Sequence, residues 1–203
     1  MKKTIIFIWV ALNIIRSFPA IITYYLSPSK EIIDKDIIRW VDVILKDSTK
    51  KPIWKYLHFL LLNFPEFRNI FYYRIAKTNF ILGRVIQPFY PRLKSLYIST
   101  EHIGSGLVIQ HGFSTIIHAK SIGENCTISQ QVTIGKATNG NPIIEDGVQI
   151  TASAVVIGGI RIGSNSIVGA NATVTKDVPE NSVVVGNPAY IIKKNGMKIK
   201  KAL

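Results

Sequence analysis

The sequence predicts a mostly β fold built on a parallel β-helix, preceded by an α-helical N-terminal region. Three observations carry that prediction. An aliphatic residue returns every six positions between Ile103 and Val174. The residues between these anchors are mostly small or turn-forming, as in IGSGLV, IGENCT and IGSNSI. The chain before residue 100 has no such period and is instead rich in aromatic and bulky aliphatic side chains. Neither a helix, with period 3.6, nor a simple strand, with period 2, produces a strict period of six. A fixed short period marks a solenoid, in which each repeat buries its anchor against the repeats above and below.

In chain order, the first segment is TIIFIWVALNII, led by Lys2 and Lys3. It resembles the start of a signal peptide but lacks a convincing small-residue cleavage site. Arg16 interrupts its apolar run well short of a spanning length. SFPAIITYYLSPS follows, where Pro19 is expected to bend or restart a helix. DKDIIRWVDVILKD opens with acids and carries apolar residues at helical spacing. PIWKYLHFLLLN and FPEFRNIFYYRIAK each begin near a proline at an expected helix start. Two readings compete for residues 4–26: a helix buried in a trimer core or helical cap, or an interfacial segment with basic residues near anionic headgroups. The interfacial reading is preferred. A transmembrane span is disfavoured because Asn13 and Arg16 would both be costly in hydrocarbon.

The solenoid anchors are Ile103, Ile109, Ile116, Ile122, Ile128, Ile134, Ile144, Ile150, Val156, Ile162, Val168 and Val174. Three hexads make a triangular turn, so these twelve predict about four turns. The period breaks twice. The step from Ile109 to Ile116 is seven, at the corner QHGFST, and the step from Ile134 to Ile144 is ten, at KATNGN. Where the period breaks, backbone and side chains leave the stack and can reach a ligand. The division expected is a helical region 1–100, a solenoid 101–192, and a basic tail 193–203.

Composition limits the function classes. A hydrophobic fraction of 47% excludes a disordered chain. A single cysteine, Cys126, excludes a disulfide framework and a multi-cysteine zinc site. Cys126 occupies the slot four residues after an anchor, held elsewhere by Ala154 and Ala172, and reads as a packed small residue rather than a nucleophile. The formal net charge of +13 is uneven: residues 1–100 hold sixteen Lys or Arg against six acids, and residues 101–203 hold nine against six. This balance suits an anionic partner, such as a membrane surface or an acidic acceptor. Nucleic acid is not expected, because no binding motif accompanies the charge.

FPEFRNIFYYRI, IGSGLVIQHGFSTIIHAKSIGENCTISQQVTIG and the closing VTKDVPENSVVVGNPAYII together resemble the hexapeptide-repeat acyltransferases, most of all the serine acetyltransferase branch. The resemblance covers residues 64–192, and its final stretch is the most specific part. It implies a left-handed β-helix, a homotrimer with active sites in clefts between neighbouring solenoids, acetyl-CoA as donor, and a hydroxyl or amine acceptor.

His111 matches that family's catalytic base. The chemistry points the same way, since an acceptor hydroxyl needs its proton removed as it attacks a thioester. An imidazole can remove the proton and return it to the departing thiolate. Direct transfer through a tetrahedral intermediate is expected, its oxyanion held by backbone N–H groups near the corner loops. His118, just past an anchor, is a second candidate for the same cleft, whereas His102 and His58 are not expected to act. No histidine pair has metal-ligand spacing, so no metal is expected. The resemblance to sugar acetyltransferases carries Ala152, Ala170, Thr175, Lys176 and Lys193 onto the coenzyme site: small residues leave a groove for the pantetheine arm, and the lysines suit its phosphates.

Two departures bear on the acceptor. Gln110 stands where the serine branch has Asp, and Gly140 and Asn141 stand where it has an Arg-His pair. Free serine needs its carboxylate and ammonium met by charged partners, whereas Gln110 and Asn141 offer only neutral hydrogen bonds. The expectation is therefore O-acetylation of a sugar hydroxyl, for a bacterial surface polysaccharide. A lipid-linked acceptor at the inner face of the cytoplasmic membrane would fit the N-terminal region; otherwise the protein is expected in the cytoplasm. Serine O-acetylation is the alternative, and a non-catalytic trimeric scaffold a third. Glu101 is the candidate acid for orienting His111.

Overall fold

The computed structural model describes residues 13–47, 50–76 and 80–203. Residues 4–12 of the segment read as interfacial lie outside the described residues. The chain forms two compact units, Met1–Leu93 and Lys94–Leu203.

In the first unit, α1 (Ile14–Leu26) continues through Pro19 instead of restarting there. Ile15, whose carbonyl would have bonded the missing N–H, lies on the exposed face, where water can serve it. α2 (Lys30–Trp40) begins before the acids expected to open it and passes into a wider π-helical stretch, Val41–Leu45. α3 (Ile53–Asn63) and α4 (Pro65–Ala76) start at Pro52 and Pro65 as their sequences imply, because proline has no N–H to lose in a first turn. α5 (Phe80–Ile86) has no counterpart in the sequence reading. The aromatic stripes form the core. Trp40 packs edge-on against Phe67 and Phe64 at ring separations of 5.4 and 5.8 Å, and Tyr24, Tyr72, Tyr90 and Phe71 are buried. Arg68 closes α3 by donating to the Leu61 and Leu62 carbonyls at 2.6 and 2.8 Å.

The second unit is a left-handed parallel β-helix. Its first sheet stacks β1 (Leu96–Ile98), β4 (Thr115–Ile117), β7 (Thr133–Gly135), β10 (Val155–Ile157) and β13 (Thr173–Val174). The second stacks β2 (His102–Ile103), β5 (Ser121–Ile122), β8 (Ile143–Ile144) and β11 (Arg161–Ile162). The third stacks β3 (Val108–Ile109), β6 (Thr127–Ile128), β9 (Gln149–Ile150), β12 (Ile167–Val168) and β14 (Ser182–Val185). β1 and β14 extend the stack at either end of the six-residue repeat, giving about five turns rather than four. The residues read as a basic tail are not a tail. β15 (Tyr190–Lys194) and β16 (Met197–Ala202) form an antiparallel hairpin on β14, turning at Asn195 and Gly196, both with positive φ.

The anchors point inward as expected, with one exception. Ile116 faces outward at 46% exposure, and Ile117 takes the inward place beside Ile134. The step from Ile109 is therefore eight, not seven, and the following step to Ile122 is five. Successive side chains on a strand face opposite ways, so a one-residue error in register exchanges inside for outside. The glycine after many anchors has a steric cause. A Cβ on Gly104 would lie 2.6 Å from the Gly123 carbonyl carbon, so adjacent coils meet backbone to backbone there.

Candidate active site

Each coil has three corners. The first lies between sheets one and two, the second between two and three, and the third between three and one. The third corner is normally four residues long, as in 129–132, with its third residue in the left-handed region. In the coil above, the Gln110 N–H donates to the Ile128 carbonyl and the Gln131 N–H donates to the Phe113 carbonyl. These bonds align Gln110 with Ser129 and Phe113 with Gln130. His111 and Gly112 are thus the two inserted residues. His111 is itself left-handed, with φ of 54°, and its side chain is exposed at the apex of the corner. The left-handed region is uncommon for non-glycine residues, with His among the types enriched there, and Gln131, Ser153 and Asn171 adopt it at the same corner of the following coils.

Below His111 the same corner continues as a column. The Ser153 N–H donates to the Gln130 carbonyl and the Asn171 N–H to the Ala152 carbonyl, aligning Phe113, Gln130, Ala152 and Ala170. The two alanines expected in a coenzyme groove therefore lie in register beneath Phe113, on the corner from which His111 is inserted. Ala170 is exposed and Ala152 half-buried.

The other candidates lie on the first corner. His118 accepts from or donates to Ser99 through Nδ1 at 2.7 Å, and Asn141 Nδ2 donates to the His118 carbonyl at 3.4 Å. The ten-residue step is a tight turn closed by reciprocal bonds between Ala137 and Gly140 and pinned by Asn139, which accepts from the Gly159 N–H at 3.0 Å. Glu101 also sits on the first corner, 3.8 Å from the His102 imidazole. It cannot orient His111 of its own chain as expected, because the two lie on different corners. Within one chain the fold does not bring His111 together with His118, Asn141 or Glu101.

Thr175 and Lys176 line a pocket of about 480 Å³ on the final coil, together with Thr173, Asn187, Pro188 and Tyr190. Lys176 Nζ donates to the Leu203 carbonyl oxygen at 2.7 Å. Lys193 is exposed on β15 and is not part of this lining. The coenzyme candidates thus form two groups, the alanine column and this pocket, with Lys193 apart from both.

Sequence reasoning missed Ser99, Lys136 and the walls of this pocket. Ser99 lies in the coil before the repeat begins, and the pocket exists only because the β15–β16 hairpin folds back. Lys136 was visible: it opens the KATNGN turn, is exposed, and adds a cation to the corner holding Asn141 and His118. Among the described residues, no group of three His, Cys, Asp or Glu side chains converges as a metal ion's ligands would.

Cys126 is fully buried, its Sγ donating to the Glu145 carbonyl at 3.1 Å. Burial pushes its thiol up to about 11. The thiolate is the reactive form, so it is disfavoured in the folded protein below that pH. We expect a disulfide reagent such as Ellman's to leave Cys126 unmodified near pH 8 until denaturant is added. Rapid labelling of the native protein would contradict this burial.

Residues 141–176 match the family model for bacterial transferase hexapeptide (six repeats). A serine acetyltransferase of Staphylococcus aureus is 42% identical over 104 residues, 49% of each chain, so this match spans about half that relative's length. A serine acetyltransferase of Bacillus pumilus is 32% identical over 171 residues, covering 81% of this chain and 73% of its own. Among solved structures, the serine acetyltransferase of Brucella abortus in complex with coenzyme A superposes with a TM-score of 0.65 at 25% identity, over 87% of this chain and 72% of that one. Given the parallel β-helix, the inserted corner histidine and kinship across most of both chains, this chain belongs to the hexapeptide-repeat transferase family, among the relatives of the serine acetyltransferases.

Proposed function

We propose that the protein is an acetyl-CoA-dependent O-acetyltransferase acting on the hydroxyl of serine, as a homotrimer, with His111 as general base. The observation that carries this reading is the two-residue insertion that lifts His111 from the corner above the Ala152–Ala170 column. It occurs in a chain whose relatives are serine acetyltransferases, one of them solved with coenzyme A bound. His111 Nε2 or Nδ1 takes the acceptor proton as the oxygen attacks the thioester carbonyl. The tetrahedral intermediate collapses with cleavage of the carbon–sulfur bond, and the same proton passes to the coenzyme A thiolate. The products are an O-acetyl ester and free coenzyme A.

His118, Asn141, Lys136 and Glu101 share the first corner and His111 stands on the third, so the complete site is assembled between copies. The third corner of one protomer meets the first corner of its neighbour. That corner carries both signs of charge, with Lys136 suited to a carboxylate and Glu101 to an ammonium, and this supports a zwitterionic acceptor. The pocket at Thr175 and Lys176, with the alanine column, is assigned to the coenzyme.

A sugar hydroxyl is the second reading. Gln110, Gly140 and Asn141, neutral where the serine branch carries Asp, Arg and His, favour it. The relatives give no support to a surface-polysaccharide acceptor.

The test is release of free thiol from acetyl-CoA with serine, glucose-type and N-acetylated sugars, and lipid-linked glycans offered in turn. Turnover with serine alone supports the first reading. Turnover with a sugar and not serine transfers the assignment to the second. Failure to bind acetyl-CoA, with no turnover on any acceptor, overturns both and leaves a scaffold.

A further inference from the structure

α1 is amphipathic in the reverse of the usual sense. Its buried face carries Ser17, Ala20, Thr23 and Tyr24. Its outward face carries Ile15, Phe18, Ile22, Tyr25 and Leu26, with Ile15 82% and Phe18 64% exposed. These five recur at three- and four-residue spacing and form one continuous apolar stripe. A soluble helix ordinarily turns such a stripe inward and its serines and threonines outward.

The stripe has an apolar neighbour. Arg16 Nε donates to the Phe89 carbonyl at 2.9 Å, tying α1 to the segment that follows α5; Ile81 and Val85 of α5 and Phe89 beyond it are exposed. The charge of this unit is predominantly positive, although Asp34 touches α1 by accepting from the Tyr24 hydroxyl and lies 2.6 Å from Lys30 Nζ. No Asp or Glu occurs before Glu31, whereas Lys2, Lys3, Arg16 and Lys30 fall in that stretch. The whole unit, Met1–Leu93, holds fifteen Lys or Arg against six acids.

We propose that the outward face of α1, with the exposed side chains of α5, is a docking surface for an anionic lipid bilayer. The apolar stripe would settle at the boundary between headgroups and acyl chains, with the exposed cations of the unit among the phosphates. No helix among the described residues is long and apolar enough to cross a membrane, and an amphipathic stripe of this kind lies in the plane of the interface. A second copy of the chain is the less fitting occupant, because it would bring the same excess of positive charge against itself. Lipid phosphate complements that charge and a copy does not. This assignment does not depend on which acceptor the β-helix uses.

The full-length protein should float with phosphatidylcholine vesicles containing about a third phosphatidylglycerol, roughly tenfold more than with phosphatidylcholine alone. Raising the salt to about 1 M should weaken binding, because it shortens the screening length to about 3 Å. Phe18→Glu with Ile22→Glu should abolish flotation while leaving circular dichroism and turnover of a soluble acceptor unchanged, since neither side chain is buried. Should that double variant not fold, Phe18→Ser alone, expected to weaken binding several-fold, gives the same answer. Equal flotation by variant and wild type, or none by wild type on anionic vesicles, overturns the proposal. Wild type that ignores vesicles but falls to a smaller assembly on the same substitution assigns the stripe to contact between copies.

Discussion

Replacing His111 with alanine should lower acetyl-CoA turnover by about 10² to 10⁴-fold, the range that a positioned general base contributes. The thermal midpoint should stay where it is. Both expectations come from the same geometry. His111 is one of two residues inserted into a corner, its side chain is exposed, and the hydrogen bonds flanking it run through Gln110 and Phe113. Removing the imidazole therefore opens no cavity and leaves no buried partner. Alanine does keep the left-handed backbone, which favours glycine, so His111→Gly serves as the control free of that strain. Steady-state rates with the best acceptor, and isothermal titration with coenzyme A, would check the prediction. A base that acts only on the acceptor proton leaves coenzyme binding within a few-fold of wild type. If both variants retain more than about a tenth of the wild-type rate, His111 is not the base, and His118 becomes the residue to test next.

How much of this was legible in advance follows from what each feature depends on. The solenoid was, because a period of six is a local property that a reader can count. The corner carrying His111 was flagged by a broken period, but its length was not. Ile116 and Ile117 are adjacent, equally apolar and equally β-forming, and only the pairing of Ile117 with Ile134 shows which one faces in. The inserted pair became identifiable only through bonds between coils, from Gln110 to Ile128 and from Gln131 to Phe113. The charge argument for a neutral acceptor read Gln110, Gly140 and Asn141 and passed over Lys136, which lies in the same turn as the last two. Glu101 looked near enough to His111 in sequence, yet a triangular coil places residues ten apart on different corners. In the helical unit, the sequence left α1 between a buried helix and an interfacial one, and only the structure shows that its polar side is the buried one.

Arg74→Ala should cost about 3–5 kcal/mol, the largest loss of stability we expect from a single substitution outside the solenoid. Neither Asp36 nor Arg74 announces itself in the sequence, where each sits among ordinary helical charges. In the fold they meet across 38 positions, Arg74 Nε and Nη2 donating to Asp36 Oδ2 and Oδ1 at 2.8 and 3.2 Å. Their side chains are only 4% and 1% exposed. The fork of the guanidinium matches both carboxylate oxygens, which is the geometry that best offsets removal of two charges from water. Truncating the arginine leaves Asp36 buried without its principal cation, and the carboxylate must then protonate or draw water into the helical core. Chemical denaturation followed through tryptophan fluorescence would measure the loss, since Trp40 lies on the same helix as Asp36 and is itself buried. Asp36→Leu with Arg74→Met should recover most of that stability, because an apolar pair of similar volume avoids desolvating any charge. Recovery would mean that the ion pair specifies how α2 packs on α4 rather than adding net stability. If the single variant costs less than about 1 kcal/mol, as an exposed pair would, water already reaches Asp36 and the pair is not the buried one that its geometry describes.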